Sequence, residues 1–518
     1  MTREALRRAT RPAPRHRSIG ASLRSARERL EVPVGLGLAA LTLGAALLRW
    51  PTLAGDSLWF DEWITRQIVS GSLVDVLRGV KGTESTPPLY YCVAWVWAQA
   101  FGTSETALRS LSLVFGALTV PVAYSIGSTL VSRRAGWVAA ALVATSPLLV
   151  WYSTEARAYS LLVLLGAVSL LLVSRALTSP TPRVLGLWSL TAILALVTHY
   201  FAGFLVVAEV AVLLVGIPSR RRAIGLAGAP VALTAVLLAP LVYLQRNRGS
   251  WIEQYPLGPR LEEVGRNFLS GVSIPSAGLE LLSAILVAAA ASLALLGSTR
   301  ERRAALAMLA AGALSLALAV VLAIAGRDYL ITRNVIASWL PLALVVAIGS
   351  ASARLGRLGG VLAASLVAVS LANVVLIASD ERLQRASWKQ AARLLGEPSR
   401  DRLVLAWGDY RLAPLEELLR PAVRLQEDAV VELAEIDVLL FDRPSAALSC
   451  WSGAACNVPA APPRGGSPAA GFSLEEQRSE GLFGVRVFRA PEPRRVSVAR
   501  LLRRFEGLGT PRVYQHKR

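Results

Sequence analysis

The 518-residue chain is 54% hydrophobic and 17% charged, with a mean hydropathy of +0.49, which excludes an ordinary soluble globule. Its formal charge of +20 comes from basic residues set in short clusters between apolar runs, and that pattern excludes the single basic face of a nucleic-acid binder. The composition is that of a polytopic membrane protein whose charge reports topology.

Residues 1–32 are Arg-rich and poor in large apolar side chains, and are expected to form a disordered cytoplasmic arm. The next apolar run is long for a signal-peptide core and lacks a small-x-small cleavage site, which favours an uncleaved first helix. A spanning helix needs about 20 mostly apolar residues. About eleven such runs are predicted, near 33–50, 110–131, 136–151, 159–174, 185–198, 201–217, 224–244, 279–297, 304–326, 331–349 and 358–378. Between the first two lies a long loop, 51–109. Its stretch from Pro87 to Trp97 has two prolines at its start and a belt of Trp and Tyr, and is predicted to lie in the interface without crossing.

With the N-terminus inside and alternating sides, the inner segments collect about 21 Arg against about 4 acids, as the positive-inside bias requires. They include Arg133-Arg134, Arg175, Arg183, Arg220-Arg221-Arg222, Arg300, Arg302, Arg303, Arg354 and Arg357. Loop 51–109 is then extracytoplasmic. Glu209 falls near the middle of the sixth span, where an ionisable group is costly; a site role and a buried hydrogen bond are equally open for it.

After about residue 380 the hydropathy falls, and residues 380–518 read as a small extracytoplasmic α/β module. A helix is predicted over Trp388–Leu395 and strands over 403–407, 438–441 and 483–488, with a Pro-, Gly- and Ala-rich loop at 459–468. Cys450 and Cys456 flank a five-residue turn; in an oxidising compartment they are candidates for a disulfide, against two unpaired thiols. Cys92 reads as a small apolar residue in the interfacial stretch.

The outer loops hold most of the ionisable side chains suited to chemistry. Asp61 and Glu62 are adjacent among aromatics just past the first apolar run; Glu84, Glu105 and Arg109 follow in the same loop. Glu155, Arg157 and Tyr159 come next, then His199 at the end of the fifth span, and Arg333 at the tenth. Acid, base and cation thus reach one membrane face from four separate loops. Bland roles compete: a solvated acidic face, an Asp-Glu interfacial anchor, a local Glu155–Arg157 ion pair, and a Glu105–Arg109 pair.

These residues carry a resemblance. Leu58-Trp59-Phe60-Asp61-Glu62, Thr86-Pro87-Pro88-Leu89-Tyr90, Ser104-Glu105-x-x-Leu108-Arg109 and Tyr152-Ser153-x-Glu155-Ala156-Arg157-x-Tyr159 resemble motifs of the GT-C superfamily of lipid-linked-sugar glycosyltransferases. The branch is that of protein O-mannosyltransferases and aminoarabinose transferases, the bacterial family 39 type. Arg333 precedes Asn-Val where the family has Arg-Tyr-Leu, and Ala386–Arg393 is similar to the segment after the last span of bacterial members. The resemblance covers roughly residues 33–410.

The resemblance implies an all-α GT-C membrane domain over 33–379 that transfers a sugar from a polyprenyl-phosphate donor to an extracytoplasmic glycan, lipid or protein acceptor, with inversion. Asp61 matches the family's base, with Glu62 beside it as orienting group or rival base. Arg333, then Arg157, are candidates for the donor phosphate, with His199 for phosphate or acceptor. Glu84, Glu155 and Tyr159 are candidates for binding substrate. The Asp-Glu pair lacks the Asp-x-Asp spacing of metal-using relatives and no His or Cys cluster supplies ligands, so no metal or other cofactor is expected. A lipid or solute transporter would also show many helices and buried ions, but no internal repeat is visible. A membrane scaffold is a third reading.

Overall fold

The computed structural model describes residues 33–441, except 274, 386 and 408–411, together with 466–505 and 511–518. Cys450 and Cys456 lie outside the described residues, as does the arm 1–32.

Each predicted apolar run lies largely on helix, except that the run at 331–349 begins in short turns and becomes α-helical only at Trp339, which leaves Arg333 ahead of the helix. The membrane part comprises α1 (Val34–Arg49), α2 (Phe60–Val69), α3 (Leu73–Thr83), α4 (Leu89–Phe101), α5 (Glu105–Leu130), α6 (Arg133–Thr145), α7 (Pro147–Tyr152) and α8 (Tyr159–Thr178). It continues with α9 (Pro182–Leu196), α10 (Ala202–Gly216), α11 (Arg221–Gln245), α12 (Leu257–Ser270), α13 (Ala277–Leu295), α14 (Thr299–Ile324), α15 (Trp339–Ser350) and α16 (Arg357–Ser379). Side-chain caps define several starts: the hydroxyls of Ser104, Ser132, Thr181 and Ser298 accept backbone N–H groups of the first turns of α5, α6, α9 and α14.

Among the described residues, eight helices are long and apolar enough to cross a bilayer, and α9 and α10 are apolar but shorter, with 15 residues each. The run predicted as one span at 136–151 is broken at Ser146. Pro147 cannot donate to the helix ladder, so α6 ends and α7 begins there, with Ser146 capping the new start. The carbonyls freed at the break are taken by a buried arginine: Arg49 on α1 donates to Val143 O (3.4 Å) and Ala144 O (2.9 Å).

The Arg-rich turns converge at one end of the bundle. Arg134 donates to Gly356 O (2.5 Å), Arg300 to Leu130 O (2.9 Å) and Arg354 to Leu296 O (2.6 Å). The short helices α2 to α4 cover the other end. At 13 residues α4 is about 20 Å long, short of the roughly 30 Å hydrocarbon core. Its first residue, Leu89, donates to Val197 O just past α9, and its Trp97 donates to Ala107 O in α5. Both contacts lie at the same end of the bundle, where α9 ends and α5 begins. Helices pack closely where glycine allows it. A Cβ on Gly349 of α15 would stand 1.8 Å from Ala290 O of α13, and one on Gly127 of α5 would meet the Ala135 backbone at 2.8 Å.

The C-terminal module is a six-stranded mixed sheet. Its helices are α17 (Trp388–Leu395), α18 (Ala413–Leu418) and α19 (Val498–Arg503); its strands are β1 (Arg402–Ala406), β2 (Val423–Arg424), β3 (Val430–Phe441), β4 (Ser473–Glu480), β5 (Phe483–Ser497) and β6 (Arg512–His516). Their order is β2-β6-β1-β3-β5-β4, with β1 and β3 parallel and the other pairs antiparallel. Side chains alternate across β1: Val404 and Ala406 pack with Trp388, Leu395 and Leu415, while Leu403 and Leu405 pack with Ile436, Phe488 and Leu501. The predicted strands and helix all lie on observed elements. The polar edge strand β4, Ser-Leu-Glu-Glu-Gln-Arg-Ser-Glu, has no apolar alternation to reveal it.

The module is docked onto the Asp61 end of the bundle. Ser57 N donates to Ser387 Oγ (3.1 Å) while Trp388 N donates to Ser57 Oγ (2.8 Å), and Lys389 pairs with Glu105 at 2.9 Å.

Candidate functional site

Helix α2 starts at Phe60, which puts Asp61 and Glu62 in its first turn, where the helix dipole favours carboxylates. Neighbouring helical positions point about 100° apart, and here the two acids face different surroundings. Glu62 turns inward and is fully buried. Its Oε2 accepts from the Trp59 N–H (3.3 Å), its Oε1 from the Ala156 N–H (2.9 Å), and Arg109 grips both oxygens at 2.8 and 2.6 Å. Burial would raise this carboxyl, but the Arg109 guanidinium outweighs it and holds Glu62 below its ordinary value. Arg109 also donates to the carbonyls of Leu53, Asp56 and Ser57. The expected Glu105–Arg109 pair is therefore not what forms: Arg109 belongs to Glu62, and Glu105 to Lys389.

Asp61 turns the other way, into a cavity of about 670 Å³ that Glu84, Arg157, Tyr159, His199 and Arg333 also line. Arg333 comes from the short turn Thr332–Asn334 before α15. Its Nη1 stands 3.4 Å from Asp61 Oδ2, and its guanidinium lies 5.7 Å from the centre of the Trp251 ring. Burial disfavours the charged guanidinium, yet Tyr159 and Asp61 beside it keep Arg333 above its usual value. Asp61 remains partly open, with 26% of its side chain exposed.

Arg157 is bound on all sides. It meets Glu84 with two parallel bonds of 2.8 and 2.7 Å and donates to Asp61 O (3.2 Å) and Thr65 Oγ1 (3.3 Å). Burial lowers it, but Glu84 overcompensates and holds it well above the usual arginine value. The charge of Arg157 is thus spoken for by Glu84, whereas Arg333 makes one long ion pair, with Asp61, beside its ring contact with Trp251. The ring of His199 is pushed down to about 3 by burial and by the nearby Arg157 and Arg333, so it is neutral; its Nδ1 accepts the Phe201 N–H at 3.4 Å.

Glu155 is close to the cavity without lining it. It pairs with Arg385 at 3.0 Å, not with Arg157. Glu209 accepts hydrogen bonds from Ser169 and from Trp188 Nε1 (2.9 Å) at its Oε2 inside the bundle, while its Oε1 is buried with no hydrogen-bond partner among the described residues, and it does not line the cavity.

The sequence reading did not single out the loop after α11. Arg246, Arg248 and Trp251 line the cavity, and Arg248 donates to the carbonyls of Lys81 (2.8 Å), Gly82 (2.7 Å) and Glu84 at the end of α3. A signal was present: two arginines sit in a loop on the face opposite the Arg-rich turns. One wall is the end of α11, where Val242 and Gln245 line the cavity while Leu237, Tyr243 and Leu244 are exposed to the surroundings of the bundle. The site therefore combines an accessible carboxylate, a guanidinium with little to hold it, neutral polar rings and an apolar flank.

Residues 85–244 match the family model described as dolichyl-phosphate-mannose-protein mannosyltransferase. That segment contains Arg157, Tyr159 and His199, and the match agrees with the GT-C resemblance carried by the motifs. No curated protein matches the chain. Among solved structures, the chain is similar to the oligosaccharyltransferase of Archaeoglobus fulgidus at 16% identity, covering 68% of this chain and 54% of that one, with a TM-score of 0.38. It is similar to the arabinosyltransferase EmbB of Mycobacterium smegmatis at 15% identity, covering 75% and 34%, TM-score 0.37. ArnT from Cupriavidus metallidurans, bound to undecaprenyl phosphate, is 14% identical, covering 87% of this chain and 98% of that one, TM-score 0.36.

Proposed function

We propose that this polytopic membrane protein is a glycosyltransferase that moves a sugar from a polyprenyl-phosphate carrier to a hydroxyl acceptor of the cell envelope. The observation that carries the reading is that Asp61 and Arg333, 272 positions apart in the chain, share one cavity with an apolar flank. In this reading the cavity and the module 380–518 face outward from the plasma membrane, the Arg-rich turns and the arm 1–32 face the cytoplasm, and residues 33–379 form the catalytic membrane domain.

The chemistry follows from the charges. An acceptor hydroxyl is a poor nucleophile; Asp61 takes its proton as the oxygen bonds to the anomeric carbon. The bond from that carbon to the phosphate oxygen breaks, and its electron pair goes to the phosphate. Arg333 faces the growing negative charge, which favours the transition state over the bound donor. Attack from the side opposite the phosphate inverts the anomeric centre. Arg157, locked to Glu84, contributes its field and fixes the backbone of Asp61; Tyr159, Glu84 and the neutral His199 offer hydrogen bonds to sugar hydroxyls. Glu62 serves as the anchor that aims its neighbour.

The test is transfer from a radiolabelled polyprenyl-phosphate sugar in membranes holding the full-length protein. Asp61→Asn is expected to lower the rate by about 100-fold or more, with the protein still inserted. Unchanged transfer would end this reading.

A further inference from the structure

The loop between α7 and α8 delivers Arg157 and Tyr159 to the cavity, and it is gripped from behind by a residue of the segment leading into the module. Arg385 donates to Trp151 O (2.7 Å), Thr154 Oγ1 (3.3 Å) and Glu155 Oε1 (3.1 Å), and its guanidinium lies 4.2 Å from the centre of the Trp151 ring. Glu155 is buried, and its other oxygen, Oε2, is sealed with no hydrogen-bond partner among the described residues. A buried carboxylate with one satisfied oxygen is poised between its two protonation states.

The groups that act on Glu155 come from several elements: Arg385 from the linker, Glu62 and Asp61 from α2, Arg333 from the turn before α15, Tyr152 from α7, Tyr159 from α8 and Tyr90 from α4. Around the catalytic pair three arginines each face a carboxylate, while Arg246 and Arg248 line the same cavity with only backbone carbonyls as hydrogen-bond acceptors among the described residues. Arg157 is balanced by Glu84, Arg333 by Asp61, and Arg385 by an ionised Glu155. A carrier phosphate adds at least one negative charge to this set.

We infer that Glu155 and Arg385 form a charge-balancing pair for the carrier phosphate: Glu155 takes a proton from solvent when phosphate enters beside Arg333 and gives it back when phosphate leaves. This rests on the reading of the cavity as a polyprenyl-phosphate site. Glu155 acts here through its charge, not through contact with substrate, and Arg385 is the positioning residue that sets when it titrates. Burial raises Glu155 to about 7 although Arg385 opposes the rise, so the exchange falls near neutral pH. A phosphate nearby pushes it higher still. Above this range an ionised Glu155 repels the phosphate, so binding weakens as pH rises, by up to about tenfold per unit.

Calorimetric titration of the full-length protein with undecaprenyl phosphate, in buffers of different ionisation enthalpy, counts the protons taken up. Near pH 7 to 8 the wild type is expected to take up a substantial fraction of one proton more than Glu155→Gln. Arg385→Gln removes the influence that keeps Glu155 ionised. Its uptake is expected to vanish at about pH 7 and to reappear roughly a unit or more higher, while Arg385→Lys stays close to the wild type. A merely structural role for Arg385 would not make the uptake reappear at higher pH. Equal proton counts in wild type and Glu155→Gln overturn the inference, as does an Arg385→Gln variant whose uptake keeps the wild-type pH range. Should Arg385→Gln fail to fold, the wild-type and Glu155→Gln counts decide alone. Carrier binding without the extra proton ends only this inference; no binding of the carrier at any pH ends the functional reading with it.

Discussion

Asp61 and Glu62 are neighbours with opposite surroundings, and the reason is helical geometry. A substitution at each should read out differently. Asp61→Asn touches a partly exposed carboxylate with one long contact, so its transfer should fall while its thermal stability in detergent stays near that of the wild type. Glu62→Gln leaves the buried Arg109 without its counter-charge, a change that costs on the order of 3–5 kcal/mol, and should lower the melting temperature markedly. Equal melting temperatures for the two variants would contradict these assignments. Arg333→Ala should cost about 100- to 1,000-fold in kcat, because its guanidinium stands beside the Asp61 carboxylate and is not locked in a two-bond pair as Arg157 is with Glu84. Arg333→Lys keeps the charge but loses the planar fork, and should recover part of that loss. A Lys variant no better than Ala would show that the fork matters more than the charge.

At the scale of elements, the site depends on how helix ends are held. The guanidinium of Arg248 sits at the C-terminal end of α3, where cations are favoured and carbonyls lack partners. It thereby ties the loop after α11 to the residues around Glu84. Arg248→Ala should loosen both, raising KM for the carrier-linked donor more than it lowers kcat, as a titration of donor in membranes would reveal. A fall in kcat alone would instead make Arg248 a direct partner of the transition state. Helix contacts set a second requirement. Gly349→Ala would drive a methyl group into the Ala290 carbonyl, so α13 and α15 must separate; monodisperse protein on size-exclusion chromatography should be largely lost. Normal yield of that variant would mean that the two helices have room to part.

For the whole molecule, the two ends differ in kind. One gathers arginines that bond to neighbouring turns, and the other gathers the cavity, the short helices and the module. With Cys92, Cys450 and Cys456 replaced by Ser, single cysteines at Arg78 and Arg302 mark the two ends, since both side chains are exposed. A membrane-impermeant maleimide should label Arg78→Cys in intact cells and Arg302→Cys only after lysis. The reverse pattern would turn the cavity toward the cytoplasm and remove the envelope acceptor from the proposal.

The sequence by itself determined the solvent, the apolar helices and the gathering of acids and arginines at opposite ends. Hydropathy sums over neighbouring residues, so a window of the chain carries it in full. It also marked the change to a C-terminal sheet module and the core strands with alternating side chains. What it left undecided was every pairing. Glu62 with Arg109, Arg157 with Glu84 and Asp61 with Arg333 are 47, 73 and 272 positions apart. Glu155 meets Arg385 across 230. A charged side chain has the same composition whether it anchors a helix or faces a substrate. Only the packed structure, by fixing which way each helix turns and which loop lies behind it, separates the carboxylate that opens onto the cavity from the one sealed against Arg109.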